Sequence, residues 1–203
     1  MRHFFRDIKG FREVHTQNKL SILAACEDPK TIAKYDYEGQ VWPLPQTGQM
    51  WLEHYLLEHP EENGFFCVST SYRNEPDPVP GRHDRIFPMF EFEMHGGVEE
   101  LEKMEIELCE HLGIPLEEGY IQNYDDWTNQ FNTKELEHEH EEKIGRGMIT
   151  KFPEWTSPFW NMARNADDTS KKIDVILNGM ETIGSAERST DKEQMRETFY
   201  TIS

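Results

Sequence analysis

Residues 73–93 read RNEPDPVPGRHDRIFPMFEFE, and the reading of the fold starts from them. The middle of the stretch, EPDPVPGRHD, holds three prolines and a glycine and is too broken for a helix or a strand, so it is a loop. The end, IFPMFEFEM (86–94), alternates as a strand does, with Phe87, Met89, Glu91 and Glu93 on one face and Ile86, Phe90, Phe92 and Met94 on the other. The second set is a core face. The first joins an aromatic ring to two carboxylates, and the loop brings Arg73 and Glu75 to its start and Arg82 and His83 to its end. Arginines hold phosphates bidentately, a ring stacks on a base, and carboxylates hold an ammonium or Mg²⁺. An edge strand whose glutamates are solvated and paired with loop arginines accounts for the same pattern.

Upstream, FFCVSTSYR (65–73) is a strand by its aromatic and β-branched content, and GQMWLEHYLLEH (48–59) is a helix with one buried side. The first 16 residues read as a short amphipathic start followed by a strand-like GFREVHT, and 28–45 as a turn-rich loop around small elements. Downstream, Gly96-Gly97 stops the strand, and Val98, Leu101, Met104, Leu108 and Leu112 keep helical spacing. Residues 115–132 read as irregular and acidic, 134–143 as a helix, 148–152 as a strand and 191–199 as a polar helix. In between, 173–177 and 180–183 flank Asn178-Gly179, a strong hairpin signal. A two-residue turn there pairs Leu177 with Met180, Ile176 with Glu181 and Asp174 with Ile183. Asp174 and Glu181 then share a face as diagonal neighbours, roughly 7–8 Å apart. Two such carboxylates suit hydrated Mg²⁺ on a nucleotide, and equally suit a solvated hairpin face. The class is α+β, an antiparallel sheet flanked by helices.

The 203 residues carry 21 Lys and Arg against 39 Asp and Glu, a net charge of −18, which argues against nonspecific phosphate-backbone binding. With 36% hydrophobic and 12% aromatic residues the chain has enough apolar matter for a core. No apolar run approaches the roughly 20 residues of a membrane helix, and the charged start MRHFFRDIKGFREV has no signal-peptide stretch, so a cytoplasmic protein is expected. Cys26, Cys67 and Cys109 form neither a disulfide framework nor a zinc motif. His138 and His140 in LEHEHEE point in different directions on a helix, and only His138 with Glu142 shares a face; lacking a third ligand, they read as a solvated helix. His15, His54 and His59 read as surface or capping residues.

RNE…GRHDRIFPMFEFE resembles the second signature motif of class II aminoacyl-tRNA synthetases. FFRDIKGFREVHT (4–16) resembles motif one, LPQTGQMWLE (44–53) the amino-acid-binding segment, and IDVILNGMETIGSAERS (173–189) the segment before motif three in the aspartate, asparagine and lysine subgroup. The four occur in the family's order. TGQMWLE, FPMFEFE, ETIGSAERS and FPEWTSPFWNM (152–162) are most similar to asparaginyl-tRNA synthetase, while the spacing from Asp174 to Glu181 is that of the aspartyl enzyme. The resemblance implies one catalytic domain over 1–203 that activates asparagine or aspartate with ATP and Mg²⁺, an ATP-dependent ligase. It implies that Arg73 holds the α-phosphate, Glu75 the adenine amino group and Phe87 the adenine ring, with Arg82 and His83 on the outer phosphates. Asp174 and Glu181 would bind Mg²⁺, and Gln49 and Glu91 the substrate ammonium. Arg188 would take the substrate side chain, since a guanidinium suits a carboxylate or amide oxygen and repels a lysine. Glu53 would accept from an amide NH₂. Glu181 and Arg188 are seven apart, so a bulge or bend at Gly184-Ser185 is expected to bring them to one face.

The pattern departs in three places. Gln17 follows Thr16 where motif one ends in proline, Ile86 stands where an acid precedes the stacking Phe, and Ser203 comes before motif three. The expectation is therefore a core without the motif-three strand and helix and without an anticodon-binding domain. Homodimerisation and a tRNA partner go with the family. Two other functions use the same platform: an ammonia-dependent asparagine synthetase-like enzyme, and a non-catalytic paralogue that binds amino acid or ATP.

Overall fold

The computed structural model describes residues 1–16, 24 and 29–202, so Gln17 and Cys26 lie outside the described residues. The chain divides into two compact units, Met1–His95 and Gly96–Ser203.

In the first unit a π-helical turn, His3–Ile8, leads to the short strand β1, Arg12–Glu13. The stretch read as a turn-rich loop contains a hairpin, β2 Lys34–Tyr37 and β3 Gln40–Pro43. Glu38 and Gly39 turn it with φ of 52° and 78°, and Gly39 N donates to Asp36 Oδ1. An aspartate-anchored Glu-Gly turn is weaker in sequence than Asn-Gly, so the sequence allows small elements here without placing the hairpin. Helix α1 is Gln49–Glu58, and strands β4 Gly64–Tyr72 and β5 Ile86–Met94 pair antiparallel from Gly64 opposite Met94 to Tyr72 opposite Ile86. β1 adds to β4 in parallel, a join that needs the long crossover between them. The core is aromatic. Phe5 is fully buried, its ring 4.9 Å from both Phe90 and Phe92, and Phe66 stacks on Phe90 at 5.2 Å. That places the inner face of β5 as alternation placed it, except at Ile86, which is 64% exposed where the strand leaves the loop. Phe5→Ala is expected to cost about 3–5 kcal/mol in urea unfolding, the range for deleting a buried ring.

The second unit opens with α2, Val98–His111, its N-terminus capped by Glu187 Oε2, which accepts from Val98 N at 2.8 Å. A four-stranded sheet follows in the order β6-β7-β8-β9: Ile121–Asn123, Arg146–Phe152, Ser170–Leu177 and Met180–Ala186. Its joins are antiparallel except β6 with β7, a parallel pair connected through helices. Those helices correct the sequence reading. α3, Tyr124–Phe131, lies in the span read as irregular; Asn123 Oδ1 caps it at Asp126 N, and Tyr124, Trp127 and Phe131 share its buried side. Trp127 Nε1 donates to Met148 O at 3.1 Å. α4, His138–Ile144, begins four residues later than read, because Asn132 ends α3 at φ 52° and Thr133 turns the chain onto Glu135. His138 is exposed, but His140 is buried, its Nδ1 accepting from Glu137 N and its ring 5.3 Å from Phe131. The solvated-helix reading fails for that residue because the imidazole both caps the helix and packs on a ring. α5, Lys192–Ile202, closes the described chain. Among the described residues no helix is long and apolar enough to cross a membrane.

Candidate active site

In the first unit the loop between β4 and β5 folds back beside its own strands. Arg73 N donates to Arg85 O at 2.8 Å, Arg85 Nε donates to Glu75 O at 3.1 Å, and Val79 N donates to His83 Nδ1. An open cavity of about 310 Å³ results, lined by Arg73, Glu75, Arg82, His83, Asp84 and Phe87. All five residues that the sequence assigned to ATP meet there. Asp84 joins them unforeseen, its only signal being its place next to His83. The Arg73 guanidinium lies 5.3 Å from the centre of the Phe87 ring, so a cation and an aromatic face stand side by side at the cavity wall. Two guanidiniums and a ring suit a triphosphate and a base.

A second cluster in this unit surrounds Glu91. Its Oε1 accepts a short hydrogen bond from Thr47 Oγ1, and its Oε2 accepts from Gly48 N at 2.8 Å and Ser69 Oγ at 2.5 Å. Thr47 Oγ1 in turn accepts from Gln49 N. Glu91 therefore fastens the turn that enters α1 and holds Gln49 in place, and a substrate ammonium would share an already well-bonded carboxylate. Gln49 is buried and its Nε2 reaches Glu93 Oε1 at 3.4 Å. Glu53 lies four residues along α1 from Gln49, on the same side. Cys67, paired with Glu91 across the ladder, is buried, and burial first, then the Glu91 charge, pushes its thiol up to about 12. It is inert as a nucleophile at neutral pH.

In the second unit Asn178 and Gly179 take φ of 54° and 74°, the turn expected of that pair. Leu177 faces Met180 and Ile176 faces Glu181, but Asp174 faces Gly184 and not Ile183. The extra residue is Thr182, a bulge two positions before the expected Gly184-Ser185 break. The shift has the consequence required of it: positions 181, 184, 186 and 188 come into phase with 174 on one face. Arg188 continues from β9 in an isolated bridge with Met162. Asp174 and Glu181 border the space over Gly184, where a Cβ would lie 2.6 Å from Glu181 Oε1 and 3.6 Å from Asp174 Oδ1. Glycine there makes room for the Glu181 carboxylate beside Asp174. The Asp174 side chain is 7% exposed, and its Oδ1 is buried without a hydrogen bond. Burial, then the charges of Glu181 and Glu141, raise its carboxyl to about 7 against the opposing Lys172. An orphaned oxygen beside a second carboxylate fits a divalent cation that takes its other ligands from phosphate and water. Among the described residues no group of three or more His, Cys, Asp or Glu is placed to hold a metal by itself.

The whole chain, residues 1–203, matches the family described as tRNA synthetases class II (D, K and N). No curated protein matches the sequence. Among solved structures, asparaginyl-tRNA synthetase from Pyrococcus horikoshii with asparaginyl-adenylate superposes with a TM-score of 0.77 at 17% identity, over 97% of this chain and 53% of that one. The Entamoeba histolytica enzyme, also with asparaginyl-adenylate, gives 0.77 at 16% identity over 98% and 52%. Aspartyl-tRNA synthetase from Entamoeba histolytica gives 0.68 at 17% over 97% and 44%. The chain thus spans about half the length of these structures, and identities this low show the shared fold alone.

Proposed function

The chain belongs to the class II tRNA synthetases of the aspartate, lysine and asparagine group, and from that premise we propose that it binds ATP in the Arg73–Phe87 cavity and activates asparagine or aspartate as the acyl adenylate. A substrate carboxylate oxygen attacks the α-phosphorus, the bond to the bridging oxygen breaks, and pyrophosphate leaves. No side-chain nucleophile takes part; positioning and charge neutralisation lower the barrier. Arg73 neutralises the α-phosphate, Phe87 stacks on adenine, Glu75 accepts from its amino group, and Arg82 and His83 hold the outer phosphates. Gln49, positioned by Glu91, takes the substrate ammonium, with Glu53 on the same side of α1. Arg188 takes the substrate side chain. Asp174 and Glu181 would hold Mg²⁺, which when bound supplies positive charge to the phosphates.

The observation that supports this most is the convergence of Arg73, Glu75, Arg82, His83 and Phe87, assigned from sequence, on one cavity. A cytoplasmic location, homodimerisation and a tRNA acceptor go with the reading. The test is isotope exchange between pyrophosphate and ATP, with asparagine and aspartate supplied separately and no tRNA. Exchange with asparagine points to a tRNA ligase core. Exchange with aspartate points to aspartyl transfer or, if ammonia then yields asparagine, to a synthetase-like enzyme. ATP binding without exchange moves the non-catalytic paralogue to the front. Arg188→Glu is expected to lower exchange with either amino acid by about a hundredfold, since it removes the donor to the carboxylate or amide oxygen and sets a like charge against aspartate. An unchanged preference would place Arg188 outside the amino-acid pocket.

A further inference from the structure

Lys172 and Asp174 are two apart on β8 and share one face of the strand. Their partners on β9, Ala186 and Gly184, are small, and over Gly184 the Glu181 carboxylate of the same strand reaches toward Asp174. Lys172 Nζ lies 2.5 Å from Asp174 Oδ2 and 4.2 Å from the centre of the Phe152 ring, so its cation is held from both sides. The other oxygen of Asp174 is buried and without a hydrogen bond, and it lies with Glu181 Oε1 over Gly184. One carboxylate thus presents one oxygen to a tethered cation and the other to the side of Glu181.

We propose that Lys172 is an internal counter-ion that competes with a divalent cation for Asp174, and so sets how much metal the chain needs. The Lys172 cation opposes whatever negative charge the two carboxylates offer a divalent ion, and the attraction falls accordingly. Lys172 has no part in the assigned substrate contacts. It is a positioning residue, acting through Asp174. The inference rests on the reading of Asp174 and Glu181 as the metal pair.

The test measures Mn²⁺ binding to the whole chain without ATP, by calorimetry and by the loss of the free-ion electron paramagnetic resonance signal. Lys172→Met keeps the aliphatic stem over Phe152 and removes the charge; it is expected to bind Mn²⁺ roughly tenfold or more tightly than the parent, the scale of a lost charge-assisted contact. Lys172→Arg keeps the charge and is expected to match the parent. Asp174→Asn is expected to lose binding in either background. If Asp174→Asn abolishes binding while Lys172→Met leaves it unchanged or weaker, the counter-ion role is overturned and the metal pair stands. If Asp174→Asn binds as the parent does, or if neither parent nor Lys172→Met binds, the metal pair falls and the inference with it. Circular dichroism of each variant separates loss of fold from loss of site, and Lys172→Gln replaces Lys172→Met should the latter fail to fold.

Discussion

Replacing Glu105 with methionine is expected to stabilise the protein, and to do so far more at pH 8 than at pH 4.5. Glu105 lies on α2 in the same stripe as Leu101, Met104, Leu108 and Cys109, and it is fully buried. Neither carboxyl oxygen has a hydrogen bond. Burial first, with the charges of Asp174 and Glu102 adding, raises its carboxyl to about 8; the Ser185 hydroxyl eases the shift without reaching hydrogen-bond geometry. The folded value is above the unfolded one, so the folded state keeps a proton that the unfolded state gives up as pH rises past 4.5. Stability therefore falls by about 1.4 kcal/mol per pH unit in that window and levels off above pH 8, a total on the order of 5 kcal/mol. Methionine has similar volume, no charge and no lone pairs to satisfy, so the variant avoids this loss. Urea unfolding of both proteins at pH 5 and pH 8 checks it, because groups common to the two cancel in the difference. A gap that is the same at both pH values would mean that Glu105 is ionised in the fold.

Arg73→Ala is expected to abolish pyrophosphate–ATP exchange and to weaken ATP binding by about two orders of magnitude, the scale for losing a guanidinium–phosphate contact. The fold should be untouched, because Arg73 is joined to its neighbours through its backbone, in a bridge with Ile32 and a hydrogen bond to Arg85 O. Its side chain rests on Phe87 and faces the cavity. Lysine at this position keeps the charge but loses the fork, and is expected to recover binding in part and exchange little. Exchange at the parental rate from Arg73→Ala would remove the cavity from the nucleotide assignment.

Much of the frame was legible because its signals are local. The stretch IFPMFEFEM matches the bounds of β5 residue for residue, Asn178-Gly179 matches the turn of the β8–β9 hairpin, and the helix read over 48–59 is α1 within a residue at each end. Side chains assigned to one nucleotide lie within 15 residues of one another on either side of a loop, so a hairpin alone brings Arg73 and Phe87 together. α3 was equally local in its cap and spacing, and was hidden by the acidic residues before it.

By itself the sequence determined the elements whose residues answer to a period of two or 3.6, and the chemistry of the groups carried on them. Tertiary structure decided the rest, because pairing and burial depend on what arrives from elsewhere in the chain. The bulge at Thr182 is a compromise between two strands, and it alone puts Arg188 in phase with Asp174. His140 and Glu105 look like solvated residues of charged helices until a ring or a sheet covers them. The carboxylate of Glu91 reads as free until the turn before α1 folds onto it with a hydroxyl and an amide and Ser69 of β4 adds a second hydroxyl. Periodicity says which side of a strand a charge is on; only the packed neighbour says whether that charge is solvated, bonded or neutralised.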